Sequence, residues 1–190
     1  MKVTACLISW KRQNNFAKII PHLLAQPWID DIIIHDNSKG HNIMNYGRYT
    51  ASRRARHNVI YTQDDDCIIH GLDKLWEAYD GSQLVYGHQA HMTPEIFGGK
   101  HMAIMGWGTI FDRRWTNVLK GYINHFGKDK CFYRETDRIF TMLLNQRHKP
   151  VVIEVEHLEG YNDENSLSSQ ENHIAFKKLA ITRCATLDPI

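Results

Sequence analysis

Three consecutive carboxylates, Asp64, Asp65 and Asp66, follow the apolar run Val59–Thr62. Strand side chains alternate, so an Asp-x-Asp at a strand end would send its first and third carboxylates to one side. Two hard oxygen ligands on one side suit Mg²⁺ or Mn²⁺, which such sites share with the phosphates of a substrate. Open α/β sheets bind ligands beyond the carboxyl ends of their strands, which is where this triplet falls. An isolated acidic triplet is equally consistent with a solvated turn, so its meaning depends on the elements around it.

Those elements alternate between strand and helix, which predicts an α/β fold with a mostly parallel central sheet flanked by helices. Residues 3–9 form a near-continuous apolar strand. Phe16, Ile19, Ile20, Leu23 and Leu24 follow at helical spacing, with Pro21 expected to kink that helix or start its second half. A second strand over 31–35 ends in the turn-rich Asp36-Asn37-Ser38-Lys39-Gly40. Residues 44–57 read as a polar helix, and Val59–Thr62 as the strand that delivers the triplet. Leu72, Leu75, Trp76 and Tyr79 mark one face of a short helix, and 84–87 return to the sheet. The His- and Gly-rich stretch 88–101 reads as an irregular excursion. Gly106 and Gly108 flank Trp107 and allow close backbone approach. A helix over 137–145 and a strand over 150–155 follow, then a polar loop at 160–172, expected to be mobile, and a final helix near 172–183.

Length and composition narrow the class. A chain of 190 residues, 43% apolar and 23% charged, predicts one domain spanning 1–190 with a sizeable core. Its net charge of +2 selects no partner. The four cysteines, Cys6, Cys67, Cys131 and Cys184, lack a CxxC pair, which argues against structural zinc. Cys6 lies inside a strand pattern and reads as a buried free thiol, consistent with a reducing cytoplasm. No run approaches the roughly 18 apolar residues of a membrane helix. The early charges Lys11 and Arg12 do not fit a signal peptide.

Taken in order, five motifs resemble GT-A nucleotide-sugar glycosyltransferases, most closely the exostosin-like transferase domain and more distantly the family-2 transferases. They are Ile8-Ser9-Trp10-Lys11-Arg12, Ile34-His35-Asp36-Asn37-Ser38, Tyr61-Thr62-Gln63-Asp64-Asp65-Asp66, Glu135-Thr136-Asp137, and Leu167-Ser168 with His173 and Lys177 downstream. The resemblance implies a single GT-A domain, a UDP-sugar donor and a Mn²⁺ or Mg²⁺ cofactor. It also implies a glycan, protein or modified nucleic-acid acceptor. The exostosin-like likeness implies retention of anomeric configuration, the family-2 likeness inversion.

The resemblance also implies roles residue by residue. Ser9, Arg12, Asp36 and Asn37 would gather where base and ribose dock, with amide and carboxylate groups to read them. Arg12 could also meet the diphosphate through its planar fork. Asn45, Arg48, Asp64 and Asp65 would contact the same nucleotide, whereas Arg53, Arg54 and Arg56 suit a solvated face or a nucleic-acid partner. Asp64, Asp66 and His157 would hold the metal. Asp137, at a helix start, would orient or deprotonate the acceptor hydroxyl, with Glu135 as the alternative; a plain capping role is the simpler account. Trp107 and Trp115 would floor the sugar site or belong to the core. Lys177, where the family has Arg, would meet a phosphate as a point charge. Two other functions compete. A nucleotidyltransferase lacks its Gly-rich phosphate loop here, and a non-catalytic nucleotide or nucleic-acid binder would rest on the Arg48–Arg56 patch.

Overall fold

A computed structural model describes residues 1–90, 102–144, 147–161, 163–164 and 166–187. Most of the expected 88–101 excursion lies outside the described residues. Its elements in chain order are β1 (Val3–Ser9), α1 (Phe16–Leu24), β2 (Ile29–Asp36), α2 (Tyr46–Ser52), β3 (Val59–Thr62), β4 (Cys67–His70), α3 (Leu72–Ala78) and β5 (Leu84–His88). Then come β6 (Thr109–Asp112), α4 (Val118–Phe126), α5 (Lys130–Leu143), β7 (His148–Val152), β8 (Glu154–His157) and α6 (His173–Ala185).

Six strands make one sheet in the order β2-β1-β3-β6-β5-β7. Only β6 runs antiparallel to its neighbours, so the sheet is mostly parallel, as the alternating pattern predicts. The period-two alternation of strand side chains divides the apolar residues between two cores. Cys6, Ile60, Tyr86 and Phe111 face the layer of α2, α4, α5 and α6. Ala5, Leu7, Tyr61, Val85 and Ile110 face α1, α3 and the small β4–β8 ribbon. Burying each such aliphatic or aromatic side chain contributes about 1.5–3 kcal/mol. All four cysteines are buried and outside any disulfide, and Cys6 is a buried free thiol as expected. Among the described residues, no helix is long and apolar enough to cross a membrane.

The local differences from the sequence reading have physical causes. Helix α1 runs as one element from Phe16 to Leu24 with Pro21, expected to kink it or start its second half, inside it. The expected helix over 44–57 is only Tyr46–Ser52, and it is buried, not polar: Tyr46, Arg48, Tyr49 and Ser52 face inward. The expected strand over 150–155 is two strands in different sheets. The chain crosses between them at Ile153, whose N–H donates to His88 O at 3.1 Å. Strand β4, between the triplet and α3, and helix α4 are additions. Helix α5 starts at Lys130 rather than Asp137, because Asp129 caps it by accepting the Phe132 N–H at 2.9 Å. Its backbone leaves helical geometry at Glu135 (φ −103°, ψ 18°), so Asp137 still lies in the first turn after a break.

Candidate active site

The carboxyl ends of β1 and β3 open onto a cavity of about 790 Å³. Asp64, Asp65 and Asp66 line one wall, Asn37, Met44 and Asn45 a second, and Glu135, Asp137, Arg138, His173 and Lys177 a third. Strand β3 ends at Thr62, so the triplet sits in a turn and not on the pleat that the Asp-x-Asp argument assumed. The turn is braced instead by hydrogen bonds. Gln63, fully buried, accepts from Tyr61 Oη at 2.7 Å and donates to Cys67 O at 2.7 Å. The Asp64 N–H donates to Gly106 O at 2.9 Å.

Gly106 is where the expected close backbone approach occurs. A Cβ there would lie 1.9 Å from Asp64 Oδ2 and 2.3 Å from its Cγ. Gly106→Ala is therefore expected to displace Asp64 and to destabilise the fold by about 1–3 kcal/mol. Differential scanning calorimetry reads this directly, and an unchanged melting temperature would contradict the packing.

Two arginines organise the acidic wall. Arg48 has a side chain 1% exposed and reaches Thr62 Oγ1 at 3.0 Å, Asp64 Oδ1 at 2.5 Å and Asp137 Oδ2 at 3.3 Å. One buried guanidinium thus holds the first carboxylate of the triplet and the carboxylate of α5. Arg12 approaches Asp65 at 3.2 Å, Asp66 at 3.4 Å and Asp163 at 2.9 Å, tying the polar 160–172 segment to the triplet.

The carboxylates are not equivalent. Asp65 is buried, and its oxygens accept from the Trp10 N–H at 2.7 Å and from Arg12. Its bonding is that of a brace, although it was expected to meet the nucleotide. Burial, then the charge of Asp64 and that of Asp65, pushes Asp66 up to about 7 against the pull of Arg12. Burial likewise raises Asp137 to about 6, with Arg48 and the Tyr49 hydroxyl opposing, and Asp64 and Glu135 reinforcing. Tyr49 Oη donates to Asp137 Oδ1 at 2.9 Å.

The remaining expected site residues divide. Asn45 lines the cavity and donates to Arg134 O at 2.9 Å. Asn37 lines it too, but its amide secures the loop ahead, accepting from the Ile43 N–H and donating to Met44 O, both at 3.1 Å. Asp36, expected to meet base or ribose, instead forms an Asx turn in the turn-rich stretch, accepting from the Ser38 N–H at 2.9 Å, and is not among the lining residues. Ser9 is buried behind the wall. His157 is exposed and stacks on Tyr161 at 3.5 Å between ring centroids, with Tyr161 rather than His157 on the cavity. Trp107 lines the cavity, whereas Trp115 packs against the guanidinium of Arg147 at 4.7 Å, away from it. Arg53, Arg54 and Arg56 are exposed and off the cavity, while Arg48 is buried. Among the lining residues the sequence reading missed are two arginines, Arg134 and Arg138. Their i,i+4 spacing around Glu135-Thr136-Asp137 was the available signal.

No protein-family model matches the chain, and no curated protein matches it. Solved structures do. TarS of S. aureus, solved in complex with UDP-GlcNAc, superposes with a TM-score of 0.59 at 12% identity, covering 99% of this chain and 68% of that one. Glucosyl-3-phosphoglycerate synthase of Mycobacterium tuberculosis, in complex with Mg²⁺ and UDP, gives 0.59 at 12% identity over 98% and 80%. The catalytic domain of Drosophila β1,4-galactosyltransferase 7, in complex with xylobiose, gives 0.58 at 13% over 96% and 81%. At these identities the likeness establishes the fold, which is the GT-A fold of nucleotide-sugar transferases, as the sequence motifs implied.

Proposed function

We propose that this chain transfers a sugar from a UDP-sugar to an acceptor hydroxyl, with a divalent cation at Asp64 and Asp66. The observation that carries the proposal is Arg48, which fixes Asp64 and Asp137 on one guanidinium, so that a metal ligand and a candidate base face the same cavity. Structural neighbours bound to UDP-GlcNAc, and to UDP with Mg²⁺, support the donor class.

The donor set fits the cation. Among the described residues no three His, Cys, Asp or Glu side chains converge on a metal site. A pair of carboxylates is nonetheless what Mg²⁺ or Mn²⁺ commonly takes from a protein when substrate phosphates complete the shell. Asp66, forced towards its neutral form by burial and by Asp64, marks a wall short of positive charge. When bound, the cation would neutralise charge on the departing nucleoside diphosphate.

The remaining chemistry belongs to the protein. Ile8, Trp10, Asn37 and Met44 form the wall against which base and ribose would lie. Asp137, with its affinity for a proton raised towards neutrality, would take the proton of the acceptor hydroxyl. The acceptor oxygen forms the new bond to the anomeric carbon. The carbon–oxygen bond to the β-phosphate breaks with its electron pair leaving on UDP. This favours inversion; retention, which the exostosin-like motifs imply, would leave Asp137 an orienting role only.

Thermal unfolding with UDP, with and without Mn²⁺, tests the donor reading. A ligand that binds only the native state stabilises by about 2.7 kcal/mol at a hundred times its Kd. A Mn²⁺-dependent rise with UDP is expected. No rise with any nucleoside diphosphate, with Mn²⁺ or Mg²⁺, would refute it.

A further inference from the structure

Arg12 presents two different edges to its surroundings. Its Nη1 lies 3.2 Å from Asp65 Oδ1 and 3.4 Å from Asp66 Oδ2, so one end of the guanidinium serves the triplet. The side edge, Nε with Nη2, is a fork of parallel N–H groups that takes two oxygens of one carboxylate or phosphate. Here that fork is half used. Nη2 donates to Asp163 Oδ1 at 2.9 Å, whereas Nε is buried with no hydrogen-bond partner among the described residues. A buried N–H of a charged group is costly to leave without an acceptor. The edge is therefore suited to a second oxygen that Asp163 does not supply.

A backbone turn covers this edge. Gly160 has φ +86°, and a Cβ there would lie 2.6 Å from Arg12 Nε and 3.2 Å from Asp163 Oδ2, so glycine alone lets the chain pass this close. The Asp163 N–H closes the turn by donating to Gly160 O at 3.2 Å. The root of the turn is anchored without charge. The Leu158 N–H donates to Asp66 O at 2.7 Å, and Asn15 Nδ2 bridges Asp65 O and Glu159 O, both at 2.9 Å. Past that root the tie to Arg12 is ionic, and the Asp163 side chain in it is 32% exposed. Tyr161, which lines the cavity, stands between the two.

We propose that Asp163 occupies on Arg12 the place of a donor phosphate oxygen. The donor diphosphate displaces it, takes the Nε–Nη2 edge and releases the turn that Gly160 and Asp163 close. This rests on the transferase reading above. Arg12 lines the cavity beside Asp66, so a diphosphate that shares a cation with Asp66 lies within reach of the fork. The diphosphate fills both N–H groups where the carboxylate fills one, and a partly exposed carboxylate recovers its hydration on leaving. Asp163 then sets how tightly the nucleotide is held: its return to the fork assists the departure of UDP.

The test is isothermal titration calorimetry of UDP into the full chain at saturating Mn²⁺, for wild type, Asp163→Asn, Arg12→Gln and the double variant. Asp163→Asn is expected to tighten UDP by about two- to fivefold, the range that a partly exposed ion pair supports. In the Arg12→Gln background the same substitution should change nothing, because the fork it competes for is gone. Far-UV circular dichroism establishes that each variant is folded. Hydrogen exchange of the wild-type segment 158–164 adds a readout that needs no variant, and its amides should exchange faster with UDP and Mn²⁺ than with Mn²⁺ alone. An Asp163→Asn chain that binds UDP no tighter, or that gains equally without Arg12, overturns the proposal. So does greater protection of 158–164 on UDP binding, which would mean that the turn closes over the donor with Asp163 still on Arg12. A wild type that binds no UDP with Mn²⁺ refutes the donor reading itself, and this proposal falls with it.

Discussion

Asp66→Asn is expected to make the metal-free protein more stable while abolishing its turnover. Asp66 is held at about 7 in the folded chain, against 3.8 for a free carboxylate, by burial and by Asp64 and Asp65. A carboxylate whose folded value is raised binds protons better in the native state than in the unfolded one. Its contribution is therefore fully present below about pH 4 and lost as pH rises through about 7. At pH 8 the wild type carries the whole cost of this charge, and the amide removes it. With Asp66 13% exposed and Arg12 at 3.4 Å, the gain should be on the order of 1–2 kcal/mol, a few degrees in Tm. The gain should shrink towards pH 4, where wild-type Asp66 is itself neutral. In the same variant the Mn²⁺-dependent shift with UDP should vanish, and kcat should fall by roughly 10²–10³-fold or more. A variant that melts lower than wild type at pH 8, or that keeps its Mn²⁺-dependent shift, would refute the assignment.

Whether a feature is set by local sequence or by distant partners explains why part of the site was legible in the sequence and part was not. The strand at Val59–Thr62 follows from local periodicity, whereas Asp137 was singled out through the Glu135-Thr136-Asp137 motif and a helix start that the structure moves to Lys130; the triplet and Asp137 line one cavity. Arg48 defeats such rules. It was expected to reach the nucleotide from a polar helix, yet it is buried and off the cavity lining, because Asp64 and Asp137, remote in sequence, compensate its charge and Thr62 accepts its hydrogen bond. Strand β8 failed for the same kind of reason. Its partner β4 is a four-residue strand some ninety positions earlier, and nothing local divides 148–157 between two sheets. The pleat argument for Asp64 and Asp66 reached the right wall by the wrong route, since long-range bonds from Gly106, Arg48 and Arg12 position the turn.

Asp137→Asn separates the two stereochemical outcomes. If Asp137 takes the acceptor's proton, kcat should fall by about 10²–10⁴-fold, the usual contribution of a positioned base. The Mn²⁺-dependent UDP shift should remain, because the triplet is untouched. The sign of the pH dependence follows from the raised carboxylate. A base must be ionised, so wild-type kcat/KM should fall as pH drops below about 6, and this limb should be absent from the variant's residual activity. The amide keeps an acceptor for Tyr49 but turns N–H groups towards Arg48, so some loss of stability is expected and Tm should be measured alongside. Glu135→Gln is the comparison. Glu135 is braced by Arg134 and Arg138 at 3.5 and 3.0 Å, a positioning arrangement, and its loss should cost less in kcat than that of Asp137. Proton NMR of the first product gives the anomer directly. An inverted product with a steep loss in Asp137→Asn is the expected pair. A retained product with a loss under tenfold and the acid limb intact would mean that Asp137 only orients the acceptor, because a single displacement by an ionised base cannot give retention.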